Sequence, residues 1–142
     1  MELAFWHSSA LVPLCAQQRA TPAAEALCQR FSMAVWWAAP VEIRGAIARL
    51  HRMGQLTSNQ QVGAQMRLDR MRSQWREISP SLAIRDQAER FLERFPLKAA
   101  DALQLAAAFA WTSGRPRARA FLSGDAQLLE AAGLLGFQAI EI

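Results

Sequence analysis

The sequence predicts an α/β protein, a three-layer α/β/α sandwich with a central, mostly parallel sheet. Three observations lead there. Short apolar runs such as "LAFW" and "MAVWW" alternate with longer stretches of helical periodicity. Helix-start and helix-stop residues fall between those runs. The 142 residues contain no linker or repeat, so one domain spanning 1–142 is expected, large enough to bury a core without metal or disulfide staples. Strands alternating with helices favour a parallel sheet covered on both faces.

Taken in order, the first strand is expected at 2–6, ending just before His7, and "SSAL" opens a helix at 9–18. Thr21-Pro22 places a cap before a first-turn proline and starts a helix at 22–31. Strand 33–37 carries "MAVWW", and Pro40 opens helix 40–53. Thr57 precedes a long amphipathic helix at 57–75, followed by strand 76–79 and helix 81–94. Helix 98–113 is ended by Gly114 and Pro116, and strand 118–122, helix 125–134 and strand 137–141 complete the chain.

Composition narrows the function classes. Hydrophobic residues make up 52% and charged residues 20%, the balance of a compact domain rather than a disordered one. Cys15 and Cys28 fall inside predicted helices with no CxxC pairing, so they are expected as packing thiols in a reducing cytoplasm. "ALVPLCA" does not read as an export signal, because no Lys or Arg precedes Arg19 and Leu14 occupies the small-residue position before the cysteine. No apolar run approaches the ~18 residues of a membrane span, so no membrane partner is expected. The net charge of +4 rests on 16 basic residues, all arginine except Lys98, which permits a phosphate-bearing partner. Neither GxGxxG nor GxxxxGK occurs, which disfavours nucleotide binding of those kinds.

Right-handed crossovers place every strand-to-helix turn at one edge of a parallel sheet, where open α/β folds build their sites. Three of the 12 acids stand there. Glu42 lies in the first turn after "MAVWW", Asp101 early in "LKAADALQLAAAFA", and Asp125 after "AFLSG". Asp125 and Glu42 also suit helix N-termini, whose partial positive charge they complement by roughly 0.3–1 kcal/mol. Asp101, flanked by alanines on a packed helix, needs a partner. Three carboxylates at one edge repel unless a cation sits among them, and magnesium or manganese is the natural candidate. A receiver-like signalling domain also gathers acids at a sheet edge, but the paired acids after strand one and the acid after strand three are missing.

"SSALVPL", "PVEIRGAIARL", "FPLKAADALQLAAA" and "FLSGDAQLLEAAGLLGFQAIEI" resemble, in order and spacing, the successive motifs of PIN-domain proteins, especially the VapC ribonuclease toxins of toxin–antitoxin pairs. The resemblance implies metal-dependent hydrolysis of RNA, with Glu42, Asp101 and Asp125 as catalytic metal ligands, Mg2+ or Mn2+ as cofactor, and Ser9 and Ser123 as hydroxyls beside the site. It also implies a cognate antitoxin and a homodimer. In the first motif of the family an aspartate ends strand one, and here His7 stands in its place.

His7 then has three readings: a metal ligand; a buried histidine hydrogen-bonded to a carboxylate or backbone group, or in its protonated form replacing the metal as counter-charge; or an acid–base group. Two functions follow, a metal-dependent endoribonuclease toxin or a catalytically impaired PIN module that binds an antitoxin-like partner or RNA without cutting. Lys98, one turn before Asp101, is the best-placed cation for a substrate phosphate, with Arg44, Arg94 and Arg115 as further candidates. The dimer expectation also draws on apolar surplus, since Trp36, Trp37, Met66, Met71 and Trp75 leave more apolar surface than one small sheet readily covers.

Overall fold

The computed structural model describes residues 1–142. Its elements are β1 (Glu2–Trp6), α1 (Ser8–Cys15), α2 (Thr21–Cys28), β2 (Phe31–Trp36), α3 (Ala39–Arg52) and α4 (Ser58–Arg72), then β3 (Arg76–Ile78), α5 (Leu82–Arg94), α6 (Ala99–Trp111), β4 (Ala120–Ser123), α7 (Ala126–Leu135) and β5 (Gln138–Glu141). Every strand pairs in parallel, in the order β3-β2-β1-β4-β5. The direction of winding reverses at β1, which makes the carboxyl ends of β1 and β4 the topological switch point.

Side-chain alternation along the central strands divides the core into two layers. Ala4, Trp6, Val35, Ala120 and Leu122 face α1, α3 and α4, where Leu11, Ile43, Ile47 and Leu68 meet them. Phe5, Trp36 and Phe121 face the other way, onto Phe91, Leu105, Ala106 and Leu128 of α5, α6 and α7. Phe5 and Phe121 stack at 5.2 Å on neighbouring strands, and Phe137 packs 5.5 Å from Phe121. The expected three-layer architecture is the observed one.

Each expected element is present, and the differences lie at the ends. β2 begins at Phe31 rather than at residue 33, because its pairing with β1 starts at Glu2↔Phe31. At its other end the pairing with β3 stops at Trp36↔Ile78, so Trp37 is past the strand and 53% exposed. β4 starts at Ala120, since Ala118 has a positive φ of 63° that a strand cannot hold. Thr21 is the first helical residue of α2 and not its cap; its hydroxyl instead donates to the Pro13 carbonyl at 2.7 Å and accepts from the Gln18 N–H at 2.9 Å, fastening α2 to the end of α1. Thr57 does cap α4, in a reciprocal pair with Gln60. That helix stops at Arg72, so Trp75 lies in the turn before β3, where it and Met71 pack partly against the core. Gly114, with φ 73°, lies in the turn that follows α6, as its sequence position suggested.

The stacked Phe5–Phe121–Phe137 cluster joins the sheet's centre to β5. Phe121→Ala should cost about 3–5 kcal/mol of unfolding free energy, read as a lower urea midpoint at unchanged slope.

Candidate functional site

The site is built where β1 and β4 end. His7 leaves β1 with extended backbone (φ −66°, ψ 153°) and N-caps α1: its Nδ1 accepts from the Ser9 N–H at 3.3 Å. Its own N–H donates to the Leu122 carbonyl of β4 at 2.9 Å, which fixes the residue between two strands. Nδ1 also lies 2.7 Å from Ser9 Oγ and 3.3 Å from Ser123 Oγ. An Nδ1 that accepts a backbone N–H carries no proton, so Nε2 is the protonated nitrogen and donates to Asp101 Oδ1 at 2.8 Å. The imidazole is only 6% exposed, and both its nitrogens are engaged.

The hydroxyls complete a local network. Ser9 Oγ accepts from the Gly124 N–H at 2.8 Å and lies 3.2 Å from Ser123 Oγ. Ser123 Oγ accepts from the Asp125 N–H at 3.0 Å. Asp125 itself caps α7, with Oδ1 accepting from the Leu128 N–H at 2.9 Å. The helix-cap role open to Asp125 from the sequence is thus the role its carboxylate fills.

Glu42 and Asp101 reach the edge from the first turns of α3 and α6. Between them stands Gln104, a residue the motif reading passed over. It is fully buried, and its Nε2 donates to Ser8 Oγ at 2.8 Å and Glu42 Oε2 at 3.1 Å. The signal was available: Gln104 is the single amide in "DALQLAAAFA", three residues after Asp101 and so on the same helix face. Its Oε1 has no partner. Burial pushes the Glu42 carboxyl above its ordinary range; the Gln104 hydrogen bond and the nearness of His7 pull it down, and Asp101 pushes it up again.

The expected cations are placed differently. Lys98 stands exposed at the N-cap of α6, before Asp101. Arg44 instead pairs with Asp69 of α4 at 2.7 Å, and Arg94 lies over the Phe95 ring at 4.9 Å. Arg115 belongs to the connection that enters β4, at the amino edge of the sheet.

A magnesium or manganese ion asks for a shell of convergent oxygen ligands. No three His, Cys, Asp or Glu side chains gather closely enough to hold one here. His7 occupies Asp101 Oδ1, and its own lone pair is turned onto Ser9. Arranged this way, the side chains do not form a cation site. His7 supplies a hydrogen-bond donor to Asp101, whose carboxylate makes no other side-chain hydrogen bond.

No sequence-family model matches the chain, and no curated protein matches it in sequence. Solved structures do. A toxin–antitoxin complex from Klebsiella pneumoniae aligns with TM-score 0.66 at 17% identity, covering 98% of this chain and 99% of that one. VapBC2 from Rickettsia felis, bound to a DNA fragment from their promoter, aligns with TM-score 0.66 at 11% identity over 98% and 99% of the two chains. The chain has a PIN-like fold. PAE2754 from Pyrobaculum aerophilum gives the same TM-score of 0.66 at 18% identity, over 92% of this chain and 79% of that one. In this PIN-like fold the four positions expected at the acid edge lie at the ends of β1 and β4 and in the first turns of α3 and α6.

A raised Glu42 pKa means that the folded chain keeps a proton the unfolded chain has lost. Stability should therefore fall as pH rises from the ordinary glutamate value of about 4.3 through the raised one. Glu42→Gln should raise the melting temperature above that window and change it little below, a difference that thermal scans at acid and neutral pH will resolve.

Proposed function

We propose that this chain is the toxin-type PIN module of a toxin–antitoxin pair, one that engages an antitoxin-like partner and RNA while its hydrolytic edge is closed by His7. The observation that carries the reading is the 2.8 Å hydrogen bond from His7 Nε2 to Asp101, made by an imidazole with no free nitrogen. Hydrolysis of a phosphodiester through a bound cation needs that carboxylate for the ion. With Asp101 held by His7 and Asp125 held as a cap, the edge retains its fold and its polar surface without the ligand set. Exposed Lys98 beside it offers one contact to an RNA phosphate.

Metal-dependent endoribonuclease action with Mg2+ or Mn2+ is the second reading, favoured by Glu42 and Asp101 sharing one small edge. It requires His7 to release Asp101. A cytoplasmic protein fits the free thiols of Cys15 and Cys28. For the homodimer, Val62 and Met66 on α4, 53% and 58% exposed, are the helical surface proposed to meet a second copy. A single mass across a wide concentration range in light scattering would remove that part.

The test is His7→Asp. Without metal the added carboxylate should lower the melting temperature by like-charge repulsion; with magnesium or manganese it should raise it, while the parent chain responds to neither ion. The variant should also cleave RNA and arrest growth on expression, whereas the parent does neither. Strong magnesium-dependent cleavage by the parent chain, unchanged in His7→Asp, would establish the second reading instead.

A further inference from the structure

The loop that joins α6 to β4 carries Arg115, Arg117 and Arg119 at the amino edge of the sheet. The length of β4 separates it from the acid edge, roughly 16 Å from Arg119 to Gly124 at the usual rise of a strand. Between Asp101 and Asp125 the chain has no acidic residue, and the segment packed against the loop, 131–140, has no charged residue at all. None of the three arginines makes an ion pair: the two pairs in the protein are His7–Asp101 and Arg44–Asp69. The loop is also held in shape. The Gly114 N–H donates to the Phe109 carbonyl, the Arg115 N–H to the Thr112 carbonyl and the Arg119 N–H to the Pro116 carbonyl, while the Arg119 carbonyl accepts from the Gln138 N–H of β5. Pro116 is buried against Gly136, and exposed Arg115 and Arg117 flank it. Ser113 and Ala118 hold positive φ of 56° and 63°, a conformation that non-glycine residues keep only where their surroundings impose it. Arg119, half-buried, lies with its guanidinium 4.2 Å over the ring of half-buried Trp111, the last residue of α6. A helix C-terminus favours one nearby cation, but it does not account for three of them in five residues with no acid to meet.

We infer that this loop holds a single-stranded segment of RNA, with phosphates on Arg115 and Arg117 and a base on the stack of Arg119 and Trp111. Guanidinium planes and aromatic rings are the surfaces on which unpaired bases stack, and guanidinium groups suit phosphate oxygens. An acidic protein segment would use the charges but not the stack. The inference rests on the RNA-engaging reading above and adds a site to it, since the acid edge offers a strand only exposed Lys98. Binding at the loop does not depend on what His7 does to Asp101, because the two sites stand at opposite ends of β4.

The probe is a labelled single-stranded RNA of about ten nucleotides, titrated with the full chain in a chelating buffer and read by fluorescence anisotropy. Binding should be saturable and weaken as salt rises. Replacing both exposed arginines, Arg115→Gln with Arg117→Gln, should shrink the slope of log affinity against log salt by about 1.4, the share of two single-strand phosphate contacts. Arg119→Lys keeps the charge and loses the planar stack, so it should weaken binding about fivefold or more at an unchanged salt slope. Arg52→Gln removes one charge from exposed surface on α3 and should leave the affinity as it is. Duplex RNA of the same length and polyglutamate, which carry charge without unpaired bases, should bind more weakly than the single strand. Equal affinity for the duplex, or the same loss from Arg52→Gln as from the loop variants, would overturn the inference. RNA held equally by the parent and the loop variants, but lost in Lys98→Gln, would sink the loop and spare the RNA reading. RNA lost in the loop variants while the parent cleaves it with magnesium would keep the loop and remove the closed edge.

Discussion

The hydrogen bond between His7 and Asp101 is the contact on which the carboxyl edge depends, because it joins two parts of the fold that the sheet itself does not connect. His7 belongs to the β1–α1 turn and Asp101 to the start of α6, on the opposite layer. A parallel sheet directs the N-termini of its helices and the ends of its strands to one place, which draws carboxylates there as caps and first-turn acids. Such an edge needs a donor in its middle. Where a cation is missing, the Nε2–H of a buried imidazole is one of few groups that can serve, since it donates without adding a fixed positive charge to an interior position.

Histidine succeeds at this position because an aspartate there would have two separable duties. One is to cap α1, and Nδ1 performs it by accepting the Ser9 N–H. The other is to offer an outward oxygen, and here the imidazole replaces an acceptor with a donor. The first duty keeps the turn and therefore the fold; the loss of the second reverses the hydrogen-bonding sense of the edge. Glu42 feels the consequence. Burial pushes its carboxyl above the ordinary range, Asp101 adds to that, and the Gln104 hydrogen bond and the nearness of His7 oppose it, so the replacement at position 7 tempers the rise rather than causing it.

Much of this was legible in the sequence, and the rest was hidden for identifiable reasons. Apolar periodicity and turn residues located all twelve elements, because burial on both faces of a parallel sheet leaves few ways to arrange such runs. Ends went astray where backbone geometry, not composition, decided: Ala118 carries a positive φ no residue type announced, and Thr21 spends its hydroxyl on Pro13. At the site, position along the fold gathered His7, Glu42 and Asp101 correctly, but orientation was beyond reach. Nothing in "FLSGD" says that the Asp125 carboxylate turns back onto Leu128. Gln104 was missed because the motif directs attention to the acid, while the residue one turn later decides what that acid's neighbour is bonded to.

The two edges of the sheet also differ in kind, and the difference follows from the chain's direction. The carboxyl edge meets helix N-termini and collects acids, hydroxyls and one histidine in two hydrogen-bonded groups, Asp101–His7–Ser9–Ser123 and Glu42–Gln104–Ser8. The flank toward the amino ends meets the C-terminal half of α4, where basic residues suit the helix dipole; Arg70 and Arg72 lie in its last turn, with Arg67 one turn before. Those arginines make no ion pair, because the acids of the motifs stand at the other edge and Asp69, the single acid of α4, is taken by Arg44.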